Sequence, residues 1–151
     1  MTERQLQSLV DRNDVHDVLV RCAIGQDAHD WQAVADCFEP DATYLHPGGR
    51  IEGSDGIVER ARAALTPLDA SQHLLGTILV TITGDEAGST TYFQAQHVRA
   101  AAPGGSLYLI AGTYRDRLTR RDGSWRISER VQTYTWRDGN RSVIVRDPTP
   151  T

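Results

Sequence analysis

Lysine is missing from the sequence, and all sixteen basic residues are arginine. This absence excludes every mechanism that needs a lysine amine: Schiff-base formation, the lysine clamp of a phosphate-binding P-loop, and a lysine general base. The motifs G-x-S-x-G, H-E-x-x-H, Walker A, G-x-G-x-x-G and C-x-x-C are missing as well. Nucleotide hydrolysis, zinc-dependent proteolysis and dithiol redox chemistry are therefore not expected.

Cysteine and long apolar runs are scarce. The two cysteines, Cys22 and Cys37, lack metal-type spacing and are too few for a disulfide framework, which predicts a reduced, cytoplasmic setting and no bound metal. No stretch approaches the roughly 18–20 apolar residues of a membrane span, so no membrane partner is expected. The net charge of −4 argues against a nucleic-acid partner, because such proteins are normally basic.

The 151 residues predict a single domain with a flexible tail from about residue 140 that ends in RDPTPT. Apolar residues at three- and four-residue spacings predict an amphipathic helix over 4–24, with Gly25 as its stop or a bend. Asp30 is expected to cap a second, short helix, WQAVADCF, that Pro40 ends.

The rest of the chain is dominated by strand-like segments. A third helix, GIVERARAAL, would be capped by Ser54 or Asp55. Alternation and turn residues predict strands at DATYLH, RIEG, 73–83, 89–101, 106–119 and 124–136, with turns at PGG and RRDG. Early helices and late antiparallel strands predict an α+β fold. In it, a curved antiparallel or mixed sheet wraps around the N-terminal helices as a cone-like barrel with an apolar cavity.

A histidine at the start of an apolar strand is the first candidate for chemistry. His73 precedes the run LLGTILVTIT, in which simple alternation assigns Leu75 and Leu79 to its face. It is either a structural residue or a proton carrier, the role that suits imidazole near neutral pH. Asp27 follows the first helix and is either a surface residue or, facing the cavity, an acceptor that orients the imidazole.

An arginine in the last predicted strand is the second candidate. By alternation, Arg130 shares a face with Ser128 and Gln132, opposite Ile127. The pattern leaves two possibilities open, because neither face is cleanly apolar. The side chain either faces solvent or turns inward, where its planar fork would hold a substrate oxyanion or carboxylate.

Four further residues lie within predicted strands. Tyr44 and Tyr114 are either core residues with satisfied hydroxyls or cavity-lining groups. His97 shares a face with Phe93, and alternation does not decide whether that face lines the cavity. His97, Tyr114 and Ile110 are the candidate substrate-binding residues, and Tyr44 joins the candidate catalytic residues.

Four stretches, taken in order, resemble the SnoaL-like family within the nuclear-transport-factor-2-like superfamily, over residues 5–137. They are CAIGQDAHDWQAVADCFEPDATY, IEGSDGIVERARAAL, SQHLLGTILVTITGDEAGSTTYFQAQHVR and AGTYRDRLTRRDGSWRISER. Within that family the chain resembles scytalone dehydratase, bile acid 7α-dehydratase and hexachlorocyclohexane dehydrochlorinase.

The resemblance implies roles for particular residues. Asp27 and His73 match the positions of a catalytic Asp–His dyad, and Arg130 and Tyr44 match an arginine and a tyrosine that assist in some relatives. His97 falls near a second active-site histidine. Cys22 stands in the region where some dehydratases carry a further tyrosine, and a thiol is a poor substitute for a phenol as a donor.

These observations lead to one hypothesis and one alternative. The hypothesis is a cofactor-independent lyase or isomerase, dehydratase- or cyclase-like, acting on a small, mostly apolar polyketide-, steroid- or aromatic-type substrate. His73, oriented by Asp27, would remove a C–H proton, and Arg130 or Tyr44 would stabilise the oxyanion. The alternative is a non-catalytic small-molecule-binding domain or an accessory subunit of an oxygenase. Apolar residues on both faces of LLGTILV and SLYLIAG predict a homo-oligomer, a dimer being the expected form.

Overall fold

The computed structural model of the protein describes residues 1–144. Three helices, one short 3-10 helix and six strands make up this range. In chain order they are α1 (Glu3–Ala28), α2 (Trp31–Asp36), β1 (Phe38–His46), β2 (Gly49–Glu52), α3 (Ser54–Leu65), β3 (Ala70–Thr83), β4 (Glu86–Val98), β5 (Leu107–Arg121), β6 (Ser124–Gly139) and the 3-10 helix Arg141–Val143.

The six strands form one mixed sheet in the order β2-β1-β6-β5-β4-β3. Neighbouring strands are antiparallel except β1 and β6, which run parallel. The predicted α+β fold is confirmed. The sheet is not a closed barrel, however, because β2 and β3 remain its two edges. Within residues 1–144, no helix combines the length and apolar character that a membrane span requires.

The core divides into two clusters between the helices and the inner face of the sheet. The first joins α1 and α2 to β1, β5 and β6, and includes Val15, Leu19, Val34, Phe38, Leu118 and Ile127. The second joins the end of α3 to β4 and β5, and includes Leu65, Phe93, Tyr108, Ile110, Tyr114 and Val143. Each fully buried side chain of this size contributes about 1.5–3 kcal/mol, so the two clusters hold the helices to the sheet.

Helix α1 does not stop at Gly25, contrary to the prediction, but continues to Ala28. The glycine serves a close contact instead, since a Cβ atom there would lie 3.1 Å from Cγ2 of Val34 in α2. The helix ends where His29 adopts the left-handed conformation (φ 55°) and its amide donates to helix carbonyls. Asp27 consequently lies within the last turn of α1.

The ends of the other two helices follow the prediction in part. Asp30 caps α2 as expected, its side chain accepting a first-turn amide at 3.0 Å. Pro40 ends no helix; it lies inside β1, which begins at Phe38. Neither predicted residue caps α3: the N-cap is Gly53, with φ 82° and no side-chain hydrogen bond, and Ser54 is already helical.

Two irregularities in the strands change which residues face inward. On β3, the pairing with β4 skips Thr77 (φ 53°), so Leu75 and Ile78 both face the core and Leu79 is exposed. On β6, the pairing with β5 shifts at Ser128, so Ile127 and Arg130 are both buried. Simple alternation was wrong at both places, because one extra residue reverses the face of every residue that follows.

Part of the predicted flexible tail is folded. Arg141–Val143 forms a 3-10 helix capped by Asn140, whose side chain accepts the amide of Ser142 at 3.1 Å. Val143 is buried in the second core cluster, and burial of this apolar side chain fixes the segment. The remainder of the predicted tail, including RDPTPT, lies outside the described residues.

Candidate active site

A cavity of about 150 Å³ lies among helix α3, strand β1 and the inner face of β3–β6. Its polar lining consists of Gln26, Tyr44, Arg60, His73, His97, Tyr114, Gln132 and Tyr134. Its apolar lining includes Leu65, Phe93 and Ile110. A cavity of this volume accepts a molecule about the size of benzene. The pocket is therefore small, and its lining combines apolar and polar side chains.

Asp27 and His73 meet beside this cavity, because the last turn of α1 packs against β3. The Nδ1 atom of His73 lies 2.6 Å from Oδ1 of Asp27. The backbone amide of His73 donates to Oδ2 at 2.7 Å, and the hydroxyl of Ser71 donates to Oδ1 at 2.9 Å. The carboxylate is therefore held by ring, backbone and hydroxyl donors, and the imidazole, 7% exposed, is fixed in orientation.

The electrostatics of the pair favour an ionised aspartate. Burial alone would raise the pKa of Asp27, but the hydrogen bonds from the His73 ring, the His73 amide and Ser71 outweigh it, and the pKa is lowered. In the neutral form of His73, an ionised Asp27 accepts the proton of Nδ1, so the lone pair available to a proton is on Nε2. Within residues 1–144, Nε2 makes no hydrogen bond, and the ring lines the cavity.

His97 is the second imidazole of the cavity. Its ring meets that of His73 edge-on, with 6.2 Å between centroids, and its Nδ1 lies 3.2 Å from the carbonyl oxygen of Tyr108. Burial and the neighbouring His73 lower the pKa of His97, which keeps the ring neutral near neutral pH. The face shared by His97 and Phe93, which the sequence left undecided, is the cavity face.

Tyr44 and Tyr114 both reach the cavity. The hydroxyl of Tyr44 donates to Oε1 of Gln132, and burial raises the pKa of Tyr44 to about 12. Tyr114 stacks on Phe93 with 4.3 Å between ring centroids, and burial raises its pKa well above the ordinary value. Both are therefore neutral phenols near neutral pH. Ile110 lines the same cavity.

Two predicted site residues, Asp27 and Arg130, are not part of the cavity lining; Asp27 contacts the lining residue His73, whereas Arg130 pairs with Asp116. The Nε and Nη2 atoms of Arg130 donate to the two oxygens of Asp116 at 2.7 and 2.9 Å, and its guanidinium lies 4.1 Å from the Tyr114 ring centroid. Its third nitrogen lies 3.7 Å from the sulfur of Cys22. The fork is thus bound to a buried carboxylate, and the expected contact of Arg130 with a substrate oxyanion stays a prediction.

Arg60, on α3, is a cavity residue that was not among the residues predicted from the sequence. Its Nη2 atom lies 3.3 Å from Nδ1 of His46, and its guanidinium lies 5.4 Å from the ring centroid of Tyr44. A signal was present in the sequence: at three- and four-residue spacings, Arg60 lies between Ile57 and Ala64 on the apolar side of α3. Gln132, the partner of Tyr44, was missed as well.

Comparison with known proteins adds family membership to this geometry. A sequence model of the SnoaL-like domain matches residues 7–131. The terrestric acid biosynthesis cluster protein E of Penicillium crustosum is 28% identical over 143 residues, which cover 91% of this chain and 91% of that protein.

Solved structures extend the likeness of fold. The Kfla4162 protein of Kribbella flavida has a TM-score of 0.83 and 19% identity, over 90% of this chain and 98% of that one. The type-3 hexachlorocyclohexane dehydrochlorinase of Novosphingobium barchaimii has a TM-score of 0.80 and 20% identity, over 89% and 92%. At such identities the comparisons establish the fold of the chain and not its reaction.

Proposed function

The chain belongs to the SnoaL-like domain family, and from that membership and the cavity geometry we propose that it is a lyase or isomerase that uses His73 as its general base. The observation that carries this proposal is the contact of 2.6 Å between His73 Nδ1 and Asp27, which leaves Nε2 free beside the cavity. This is the arrangement in which a carboxylate sets the tautomer of an imidazole and stabilises its protonated form.

The proposed reaction starts at a C–H bond made acidic by a neighbouring carbonyl group. Nε2 of His73 takes the proton, and Asp27 stabilises the imidazolium through the proton on Nδ1. In an elimination, the electron pair of the C–H bond forms the C=C bond and the leaving group departs with its own pair. A departing hydroxide receives the proton from Nε2 and leaves as water, which returns His73 to its neutral form. In an isomerisation, the proton returns to a different carbon.

The neutral phenols supply the second part of the mechanism. Tyr114 lines the cavity and has no hydrogen-bond partner within residues 1–144, so its hydroxyl is available to an enolate oxygen. The Tyr44 hydroxyl donates to Gln132 and so holds that amide at the cavity wall. A general base contributes about 10²–10⁴-fold and an oxyanion donor roughly 10²–10³-fold, which suffices for an activated C–H bond.

The proposed substrate is a single-ring or similarly small compound. The expected classes were polyketide-, steroid- and aromatic-type molecules, and a cavity of about 150 Å³ favours one ring over a fused steroid nucleus. One relative is named for a biosynthesis cluster and a structural neighbour for a dehydrochlorinase, an eliminating enzyme. Elimination is therefore the first reaction to test.

The test uses 3-hydroxycyclohexanone, a one-ring β-hydroxy ketone that loses water to form cyclohexenone. The intact protein is expected to accelerate enone formation, and His73→Asn is expected to lower that rate by about 10²–10⁴-fold. His16→Asn is the matched control, because His16 is an exposed residue of α1. Equal rates for the intact protein and His73→Asn would contradict the proposal and leave the alternative of a non-catalytic binding or oxygenase-accessory role.

A homodimer formed through the outer face of the sheet is the proposed assembly. Leu74 and Leu79 of β3 are 64% and 68% exposed, and Tyr92 of β4 is 55% exposed, all on the face turned away from the cavity. Adjacent large apolar side chains in solvent are typical of an interface. Light scattering is expected to give twice the chain mass, and Leu79→Glu is expected to give the monomer. A monomeric unaltered chain would contradict this proposal.

The proposed location is the cytoplasm. Cys22 and Cys37 are both free thiols and both buried. Paired disulfides are the usual mark of an oxidising compartment, so two unpaired cysteines favour a reducing one. Fractionation of the source cells is expected to recover the protein in the cytosolic fraction, and recovery from an exported fraction would contradict the proposal.

A further inference from the structure

Arg60 carries a charge at the cavity that no carboxylate neutralises. It is half-buried and lines the cavity together with Ala61 and Ala64 of the same helix. Within residues 1–144 its contacts are the His46 nitrogen and the Tyr44 ring, and it forms no ion pair. Arg62, two residues further on, does pair with an acid, its Nε lying 3.5 Å from Glu59.

His46 holds Arg60 without cancelling its charge. The Nδ1 atom of His46 accepts the backbone amide of Gly48 at 3.0 Å and faces an N–H of Arg60 at 3.3 Å. An atom that accepts from two donors carries no proton, so the ring is the neutral Nε2–H form. Burial and the nearby Arg60 lower the pKa of His46, in agreement with that assignment. The Tyr44 ring offers only its π face.

The remaining lining residues supply no anion. His97 is a neutral ring, Tyr44 and Tyr114 are neutral phenols, and none of the other polar residues of the described lining is a carboxylic acid. Among the described residues the Arg60 guanidinium has one nitrogen contact, to His46, so most of its five donors are unused where it faces the cavity. A planar fork of this kind matches the two oxygens of a carboxylate better than any neutral group.

We propose that Arg60 binds the carboxylate of the substrate, so that the site takes a one-ring carboxylic acid in its anionic form. The inference deepens the proposed function, on which it rests for the identity of the site: Arg60 anchors the acid while His73 acts on the ring. Arg60 is better placed than Arg130 to bind this anion, because the Arg130 fork is already bound to Asp116.

The experiment measures binding of benzoate and of benzamide, its neutral analogue of the same shape, by NMR titration of the intact protein. Benzoate is expected to bind more tightly than benzamide. Arg60→Gln is expected to weaken benzoate roughly tenfold to a hundredfold, as for a lost charge-assisted hydrogen bond, and to leave benzamide unchanged. Arg60→Lys keeps the charge without the fork and is expected to restore part of the benzoate affinity.

Arg62→Gln is the matched control, because it removes an arginine from the same helix without touching the cavity lining. The ratio of the two affinities separates anion binding from a packing defect, since a defect in packing would weaken both compounds. The proposal is overturned if benzoate binds no better than benzamide, or if Arg60→Gln leaves the ratio unchanged. The measurement needs no turnover, so its failure leaves the test of His73 intact, and the converse also holds.

Discussion

Two acid–base pairs, one partly buried and one fully buried, differ in what they leave free to act. Asp27–His73 joins α1 to β3 at 2.6 Å, and Asp116–Arg130 joins β5 to β6 at 2.7 and 2.9 Å. In the Asp27–His73 pair, Nε2 of the imidazole makes no hydrogen bond within the described residues and lies beside the cavity. In the Asp116–Arg130 pair, both carboxylate oxygens accept hydrogen bonds from two guanidinium nitrogens. The comparison teaches that unused hydrogen-bonding capacity, and not burial of charge, separates a candidate catalytic pair from a structural one.

The two pairs also differ in how far their side chains are exposed to solvent. The side chains of Arg130 and Asp116 are 5% and 0% exposed, and Tyr114 covers the guanidinium. Asp27 is 23% exposed and keeps donors from Ser71 and the backbone even without the imidazole. Breaking the first pair should therefore cost activity, and breaking the second should cost stability.

The largest expected effect on stability comes from Arg130→Leu. It leaves the Asp116 carboxylate buried without a counterion, which is expected to lower the free energy of unfolding by about 3–5 kcal/mol. Urea denaturation measures the loss. Arg126→Leu, on the same strand but with no carboxylate partner within the described range, serves as the control and is expected to change stability little. A loss under about 1 kcal/mol for Arg130→Leu would show that the pair does not hold β5 to β6.

A smaller effect on stability is expected from His73→Asn, although its effect on turnover is large. The Asp27 carboxylate keeps the His73 amide and Ser71 as donors, so the free energy of unfolding should fall by only about 1 kcal/mol. The same urea experiment measures it. A loss as large as that of Arg130→Leu would make His73 a structural residue and would erase the contrast between the two pairs.

The smallest expected effect is a change in acid sensitivity at Asp27. Its pKa is lower in the folded protein than in the unfolded chain, so it contributes stability above the unfolded value of about 3.9 and loses it as pH falls through the folded value. The free energy of unfolding, measured from pH 6 downward, should differ less and less between the intact protein and Asp27→Asn as the pH falls. A difference in free energy of unfolding that stays constant with pH would mean that the hydrogen bonds to Asp27 do not depend on its charge.

Much of the fold could be read from the sequence, because it depends on local patterns. The three helices and the long strands β3–β6 follow from apolar spacing and turn residues, with errors of a few residues at their ends. The expected pairing of Asp27 with His73 came from a resemblance over residues 5–137. Asp27 was expected just after the first helix and lies in its last turn instead, since Gly25 packs against α2 rather than ending α1.

The arginines show where local patterns stop being informative. The face of Arg130 depends on the irregularity at Ser128, and its role depends on Asp116, which reaches it only through the pairing of β5 with β6. Arg60 carried a weak signal, an arginine on the apolar side of a helix. Nothing in the order of residues indicated that it would meet Tyr44 and His46 of β1.

By itself the sequence determined the order of helices and strands and the side chains available for chemistry. These include no lysine, sixteen arginines and a histidine at the start of an apolar strand. Only the tertiary structure decided which of these groups remain free to act. An arginine beside a carboxylate on the next strand becomes part of the core, and one beside a neutral imidazole stays available to a ligand. The physical reason is that a side chain's function depends on its unsatisfied charge and hydrogen bonds, which are set by strand register and helix packing rather than by residue type.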